Sequence, residues 1–170
     1  MIKKILSLIL LISCTVYSEE TIYKTYLGSI PVGEIKISLS EKKVTAEGST
    51  YPYISWLYSY NFKFVMDGAD FYLYERENEK EKKFDRKKIY EKKPWLPLIV
   101  EYIMYGKNSN SDLYPIKVEK KGSIYVIYPL KSKRVKKIVM YIDKSRFPLK
   151  IDIDGRYHIV LERSNVNLSD

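Results

Sequence analysis

Two residues whose side chains could carry chemistry occur once each in this 170-residue chain: His158 and Cys14. A Ser-His-Asp arrangement would have to use His158, and the chain contains no Gly-x-Ser-x-Gly turn, no phosphate-binding glycine loop and no His-Glu-x-x-His pair. A pair of carboxylates is conceivable among the 21 acidic residues, but their spacing does not indicate which would converge. The sequence therefore predicts a protein that is not an enzyme, with no catalytic residue and no cofactor.

The stretch 152–155, Asp-Ile-Asp-Gly, is similar to the beginning of a calcium-binding loop. The further oxygen ligands and the closing glutamate of such a loop are missing, so we expect an ordinary turn there. Zinc sites built from cysteines are excluded because the chain has a single Cys. The sequence therefore predicts no metal site.

Residues 1–18 have the organisation of a secretory signal peptide. Lys3 and Lys4 come first, an apolar stretch follows at 5–12, and small residues come after it. The apolar stretch is too short to span a bilayer as a helix. We therefore expect an exported protein in which residues 19–170 form a single β-rich domain.

Two processing sites are compatible with this segment. Cleavage after Ser18 would release a protein that begins at Glu19 into the periplasm. Alternatively, Leu-Ile-Ser-Cys at 11–14 resembles the lipobox of bacterial lipoproteins, and a lipid on Cys14 would anchor the protein to the outer membrane. In both cases no cysteine remains to form a disulfide.

The net charge restricts the partners. It is +9 for the whole chain and falls to +7 once Lys3 and Lys4 are removed. An anionic membrane surface is one partner that such a charge favours, whereas nucleic acid is not expected for an exported protein. Alternatively, the cations solvate strand edges and turns, where lysines also discourage aggregation between sheets.

Apolar residues at every second position predict β-strands over most of the domain. The alternation occurs in six segments: 35–39, 62–66, 71–73, 124–128, 140–142 and 149–151. We therefore expect a mainly-β fold, with a curved antiparallel sheet that forms a half-open barrel.

Two hairpins can be placed in register from the pattern of their apolar residues. In the first, a two-residue loop at Asp67-Gly68 would form a type I′ turn and pair Phe64 with Phe71. This register places the apolar side chains of both strands on one face of the sheet.

The last hairpin is expected to have a three-residue loop at 153–155, which would align Ile151 with Tyr157. His158 would then lie on the polar face, opposite Lys150. A histidine on a solvated strand face is usually an ordinary surface residue, so we assign it no catalytic or ligand-binding role.

Residues 75–93 are crowded with charges of both signs. One interpretation is a patch that binds nucleic acid or an anionic surface, and the other is a long hairpin that projects from the sheet with two solvated faces. The mixed signs favour the hairpin.

A short apolar helix is predicted directly after this charged segment. Pro97 can begin the helix, Gly106 is placed to end it, and 98–105 is apolar apart from Glu101. Four side chains are candidates to cover the open side of the curved sheet: Trp95, Leu98, Tyr102 and Ile103. They would form either a lid over a lipid-sized cavity or the last part of a packed core.

Several of these segments together resemble an exported bacterial domain-of-unknown-function (DUF) family, whose members show a G-x-x-V-G-E opening and a P-L-K/R-I strand. The matching stretches are GSIPVGE at 28–34, Asp-Gly at 67–68, IDKSRFPLKIDI at 142–153 and GRYHIVLE at 155–162, and the resemblance covers most of 22–163. It implies an envelope protein with a curved half-barrel similar to that of the periplasmic lipoprotein carriers LolA and LolB. It implies no active site.

The sequence is thus compatible with two functions. The protein could bind a lipid or another apolar small molecule within the curved sheet, under the predicted helix. Alternatively, it could be a structural or assembly factor that contacts another envelope protein through its sheet edges and the charged hairpin 75–93. An interior cavity would favour the first function, and a filled core would favour the second.

Overall fold

The computed structural model describes residues 18–164. Cys14 and the rest of the predicted signal up to residue 17 lie outside the described residues, while Ser18 is exposed and directly precedes the first strand. In chain order the elements are β1 (Glu19–Leu27), β2 (Ile30–Leu39), β3 (Lys43–Thr50), α1 (Pro52–Ser55), β4 (Tyr60–Asp67), β5 (Phe71–Glu77), β6 (Lys80–Asp85), α2 (Arg86–Lys92), α3 (Trp95–Tyr105), β7 (Ile116–Lys121), β8 (Ile124–Pro129), β9 (Val135–Tyr141), β10 (Lys150–Gly155) and β11 (Ile159–Arg163).

All strands of the described chain belong to one antiparallel sheet in the order β6-β5-β4-β3-β2-β1-β11-β10-β9-β8-β7. The sheet is not closed, because β6 and β7 form its two edges. This confirms the predicted fold class, a curved antiparallel sheet with a short apolar helix over it. The helices α1 and α2 were not predicted.

The core lies between the inner face of the sheet and α3. Strand β2 shows how the sequence builds it, since Ile35, Ile37 and Leu39 are buried while Lys36 between them is exposed. Side chains from both halves of the sheet and from α3 join in one core cluster. The helix ends at Gly106, which adopts the left-handed conformation (φ 70°) that glycine tolerates without strain.

The register of the β4–β5 hairpin differs from the prediction. Phe64 pairs with Leu73 instead of Phe71, and the backbone N–H of Asp67 donates to the carbonyl of Asp70, so the two turn residues are 68 and 69. The side chains still share one face, because a shift of two residues preserves the alternation. The hydrophobic pattern alone could not distinguish the two registers.

The predicted register of the last hairpin is also wrong. Ile151 pairs with Leu161, four residues beyond the predicted partner, so His158 lies in the β10–β11 loop and is not opposite Lys150. Gly155 ends β10 beside the start of β9: a Cβ there would clash with the carbonyl oxygen of Arg134, so this close approach requires glycine. The prediction that His158 is solvated is confirmed, because its side chain is exposed.

The predicted hairpin over 75–93 is correct only in its first part. Strands β5 and β6 pair up to Asp85, but the following residues form α2. The Asp85 carboxylate caps this helix by accepting a hydrogen bond from the backbone N–H of Lys88 at 2.9 Å. Ile89 anchors α2 in the core, and the dense charges of the segment concealed this single buried position.

Candidate functional site

The four predicted covering residues all lie on α3 and face the protein interior. Leu98 and Ile103 are fully buried, Tyr102 packs on Tyr125 with ring centroids 4.7 Å apart, and Trp95 contacts Phe62 edge to face at 6.5 Å. Other side chains of α3 are buried as well: Leu96, Pro97, Ile99 and Val100. A helix buried on nearly all sides serves as a core element.

Two of the depressions on the surface of the described residues illustrate its character, and both are open to solvent. One, of about 520 Å³, is lined by residues of β3 to β6 that include the ion pairs Glu47–Lys63 and Arg76–Glu81. The other, of about 700 Å³, lies beside residues 110–115. Neither is lined by a residue of α3, and the buried side chains of this helix belong to the core cluster, which supports a filled core more than a lipid-sized cavity.

The most prominent apolar surface lies at one end of the sheet. Trp56 is 82 % exposed and Leu57 is 72 % exposed, and both follow directly after α1. Other large apolar side chains at this end are also exposed, and we give the name aromatic rim to six of these residues: Leu27, Ile30, Tyr53, Trp56, Leu57 and Tyr157. Exposed apolar patches on a soluble domain commonly mark a surface that contacts a partner.

Hydrogen bonds join the three parts of the chain that form the aromatic rim, namely the α1 segment, the β1–β2 hairpin and the β10–β11 loop. The hydroxyl of Tyr53 donates to the carbonyl of Pro31 in β2 at 2.7 Å. On the other side, the backbone N–H of Gly28 donates to the carbonyl of His158 at 3.0 Å, which ties the β1–β2 turn to the β10–β11 loop. Side chains from distant parts of the chain therefore form one surface.

The segment that carries Trp56 is itself well ordered. Pro52 begins α1, where its missing N–H breaks no helical hydrogen bond. The carbonyl of Tyr51 accepts hydrogen bonds from two backbone N–H groups of the helix, and that of Ile54 accepts them from Leu57 and Tyr58. Trp56 and Leu57 are thus held outward by an ordered backbone.

Basic residues lie beside the aromatic rim. The backbone N–H of Arg156 donates to the carbonyl of Arg134 at 2.8 Å, so the β10–β11 loop is tied to the β8–β9 loop. Four cations occur in these two loops: Lys131, Lys133, Arg134 and Arg156. Within the two stretches 130–134 and 154–158, Asp154 is the one acidic residue. This flank of the aromatic rim is therefore positively charged.

A buried polar cluster lies on the inner face of the sheet near the same end. The Glu75 carboxylate is buried, accepts a hydrogen bond from the Tyr60 hydroxyl at 2.7 Å and lies 2.9 Å from the Lys93 ammonium, which also contacts that hydroxyl. Burial and the neighbouring Glu75 carboxylate raise the pKa of Tyr60 well above its usual range. The phenol therefore remains protonated and donates to Glu75.

Tyr58 joins this cluster to the aromatic rim. Its ring stacks on Tyr60 with centroids 6.2 Å apart, and its hydroxyl donates to Glu77 at 3.0 Å. Burial, together with this hydrogen bond, raises the pKa of Tyr58 to about 12. The polar groups of Tyr58, Tyr60, Glu75, Glu77 and Lys93 are thus linked by hydrogen bonds and an ion pair, an arrangement that stabilises a fold.

The remaining sequence candidates lie outside the aromatic rim or at its border. The imidazole Nε2 of His158 lies 2.8 Å from the carboxylate of Asp152 on an exposed surface. No group of three or more His, Cys, Asp or Glu residues in the described part of the chain could hold a metal ion. Among residues 18–164, no helix is both long and apolar enough to cross a membrane.

Sequence reasoning missed the aromatic rim. The signal was present in YPYISWLYSY at 51–60, which is apolar and aromatic but does not alternate as a strand does. Apolar residues in a short connection between two strands can be buried or exposed, and the sequence gives no means to decide. Only the structure shows that Trp56 and Leu57 project into solvent.

The fold and these surfaces define a half-open antiparallel β-barrel with a packed interior and an exposed aromatic rim. No family model matches the chain. A protein of Aquifex aeolicus (strain VF5), described as uncharacterized, is 44 % identical over 160 residues, which cover 94 % of this chain and 93 % of the relative. The chain belongs to the same family as this protein.

Proposed function

We propose that this chain is an exported, non-enzymatic protein of the cell envelope that binds its partner through the aromatic rim. The exposure of Trp56 and Leu57 on an ordered backbone is the observation that carries this proposal. Such side chains are usually buried, and their presence on a surface indicates that the surface is covered in the functional state.

The packing of α3 bears on the choice between the two functions. Trp95, Leu98 and their neighbours fill the interior of the sheet, so an apolar ligand within the sheet would have to displace core side chains. We therefore place the binding surface outside the barrel.

A second candidate surface is the open edge of the sheet at β6. This strand has one unpaired side, as expected for an assembly factor that contacts another envelope protein through its edges and the charged segment 75–93. The edge carries Lys80, Lys82 and Lys83, however, and lysines on an edge strand oppose strand addition. The aromatic rim is the better candidate for this reason.

Photo-cross-linking in living cells distinguishes these surfaces. A photoreactive amino acid would replace Trp56 in the aromatic rim, Lys83 on the edge strand, or Ser145 at the opposite end of the sheet. We expect adducts, with protein or with lipid, from position 56 and few from position 145. Adducts from position 83 alone would support the edge as the binding surface, and equal labelling from all three positions would contradict the proposal.

A further inference from the structure

We infer that the partner of the aromatic rim is the surface of an anionic lipid bilayer. The inference rests on the proposed function in one respect, namely that the aromatic rim is the binding surface. It adds the chemistry of the partner, which follows from the side chains of the rim, from its backbone and from the charges beside it.

The side chains at the outermost position suit a membrane interface. Trp56 and Leu57 are the most exposed large apolar residues of the described chain, and Tyr53 and Tyr157 lie at the same end. Tryptophan and tyrosine prefer the boundary between lipid headgroups and acyl chains, because each combines an apolar ring with a polar group. Leucine adds an aliphatic side chain that can enter the acyl region.

Several backbone carbonyls beneath these side chains already accept hydrogen bonds within the protein, which matters in a lipid environment that offers few partners. A backbone N–H or C=O that enters lipid without a partner is costly. Around Trp56, the carbonyls of Tyr51 and Ile54 accept hydrogen bonds within the segment, and the hydroxyl of Ser55 donates to the carbonyl of Pro52 at 2.8 Å. The α1 segment can therefore bring its apolar side chains into the interface without leaving these carbonyls unpaired.

The basic residues on one flank of the aromatic rim indicate that the headgroups of the membrane are anionic. Lys133, Arg134 and Arg156 are exposed in loops that hydrogen bonds connect to the rim. Cations beside an inserted apolar group attract anionic headgroups, and each contributes to binding while it lies within the screening length of the surface. An apolar tip with a basic flank therefore matches an anionic bilayer better than a neutral one.

The opposite end of the sheet lacks this combination. Its connections at 40–42, 68–70, 122–123 and 142–149 carry acidic residues as well as basic ones, and two of their large apolar side chains, Ile142 and Phe147, pack in or against the core. Exposed apolar residues near that end, such as Leu149, lack an ordered aromatic neighbour comparable to α1. The bilayer should thus contact one end of the molecule only.

Co-sedimentation with vesicles tests the inference. The purified protein would be mixed with vesicles of phosphatidylglycerol and phosphatidylcholine, or of phosphatidylcholine alone. The double variant Trp56→Ser, Leu57→Ser should bind the anionic vesicles at least about tenfold less tightly than the wild type. The matched control Leu149→Ser should bind as the wild type does. All variants share the same N-terminal segment, so a difference in binding between them cannot come from that segment.

The role of charge has its own pair of variants. Lys133→Glu with Arg156→Glu should weaken binding to the anionic vesicles at least about tenfold, and added salt should weaken wild-type binding in the same direction. The exposed pair at the opposite end, changed as Lys144→Glu with Arg146→Glu, has the same change in net charge and should bind like the wild type. Equal losses for the two pairs would show that only net charge matters and would overturn the inference.

Insertion can be followed through Trp56 itself. In a Trp95→Phe variant Trp56 is the single tryptophan, since the chain has two, and its emission should shift to the blue when anionic vesicles are added. Wild-type binding that is unaffected by the Trp56 and Leu57 changes, or absent altogether, would overturn the membrane inference. If position 56 nevertheless cross-links to a protein in cells, the proposed function stands without the membrane, and if it cross-links to nothing, the proposed function fails as well.

Discussion

Two short apolar segments of this protein each combine proline with tryptophan at a helix, yet they occupy opposite environments. In α3, Trp95 packs against Phe62 and the rest of the helix fills the barrel. Next to α1, Trp56 is 82 % exposed. The buried segment is explained by folding alone, because its burial supplies the hydrophobic free energy of the core. Trp56 and Leu57 stay exposed in the folded protein, and for this reason the proposed binding function is assigned to the exposed segment.

The largest effect is expected from the buried segment. Leu98→Ala should lower the free energy of unfolding by about 2 to 5 kcal/mol, because close-packed neighbours cannot fill the space that the side chain leaves. Urea denaturation measures this, with Leu57→Ala as the matched leucine, which should change stability by less than about 0.5 kcal/mol. A loss below about 1 kcal/mol for Leu98→Ala would instead indicate that α3 covers a cavity.

A smaller but clear effect is expected where the polar cluster joins the core. Lys93→Met removes the cation beside the buried Glu75 carboxylate and should lower stability by about 1 to 3 kcal/mol. The exposed neighbour Lys92 provides the control, since Lys92→Met changes the net charge equally. If both variants unfold at the same urea concentration, the Glu75 cluster does not stabilise the fold.

The stability that Asp143 contributes, at the end of the sheet opposite the aromatic rim, should depend on pH. A hydrogen bond from Arg163 to the Asp143 carboxylate lowers the pKa of Asp143, so the folded protein binds this proton less readily than the unfolded chain. The stabilisation is therefore present above the unfolded pKa of about 4 and is lost as the pH falls through the folded pKa.

It follows that Asp143→Asn should reduce stability at pH 7 by less than about 1 kcal/mol, since the ion pair is partly exposed. The difference from the wild type should be smaller at pH 2 than at pH 7, because protonation of the wild-type carboxyl increases as the pH falls. Thermal unfolding at both pH values checks this. A difference that is equal at both would show that the carboxylate charge is not responsible.

The smallest effects on stability are expected at the surface near the aromatic rim. His158→Gln should change the free energy of unfolding by no more than about 0.5 kcal/mol, because the ring is exposed and its partner Asp152 can accept from the amide. Trp56→Ser should be equally mild or slightly stabilising. A large loss in either variant would mean that the rim contributes to the fold and needs no partner to explain it.

The sequence predicted the layers of the fold well and its registers poorly, for one physical reason. Alternation reports which face of a strand a side chain occupies, so the inner positions Phe64 and Ile151 could both be recognised. It has a period of two, however, and registers that differ by two or four residues satisfy it equally. Both hairpins were shifted by such even numbers.

The candidate site was less predictable because its residues come together only in the folded chain. Trp56 and Tyr157 are about a hundred positions apart, and the pairing of β11 with β1, β1 with β2 and β2 with β3 brings them to the same end of the sheet. Nothing in the local sequence of 51–60 distinguishes exposed aromatic residues from buried ones. The buried Glu75 was hidden for the opposite reason, since it lies in a segment that reads as solvated throughout.

Radical footprinting of the two tryptophans tests most directly whether the aromatic rim is covered in the cell. Oxidation of Trp56 and Trp95 would be measured by mass spectrometry in the purified protein and in the intact cell envelope, with the partly buried Trp95 as the internal reference. Trp56 should be oxidised readily in the purified protein and be protected in the envelope, while Trp95 changes little. Oxidation of Trp56 to the same extent in both samples would contradict the assignment of the aromatic rim as the binding surface.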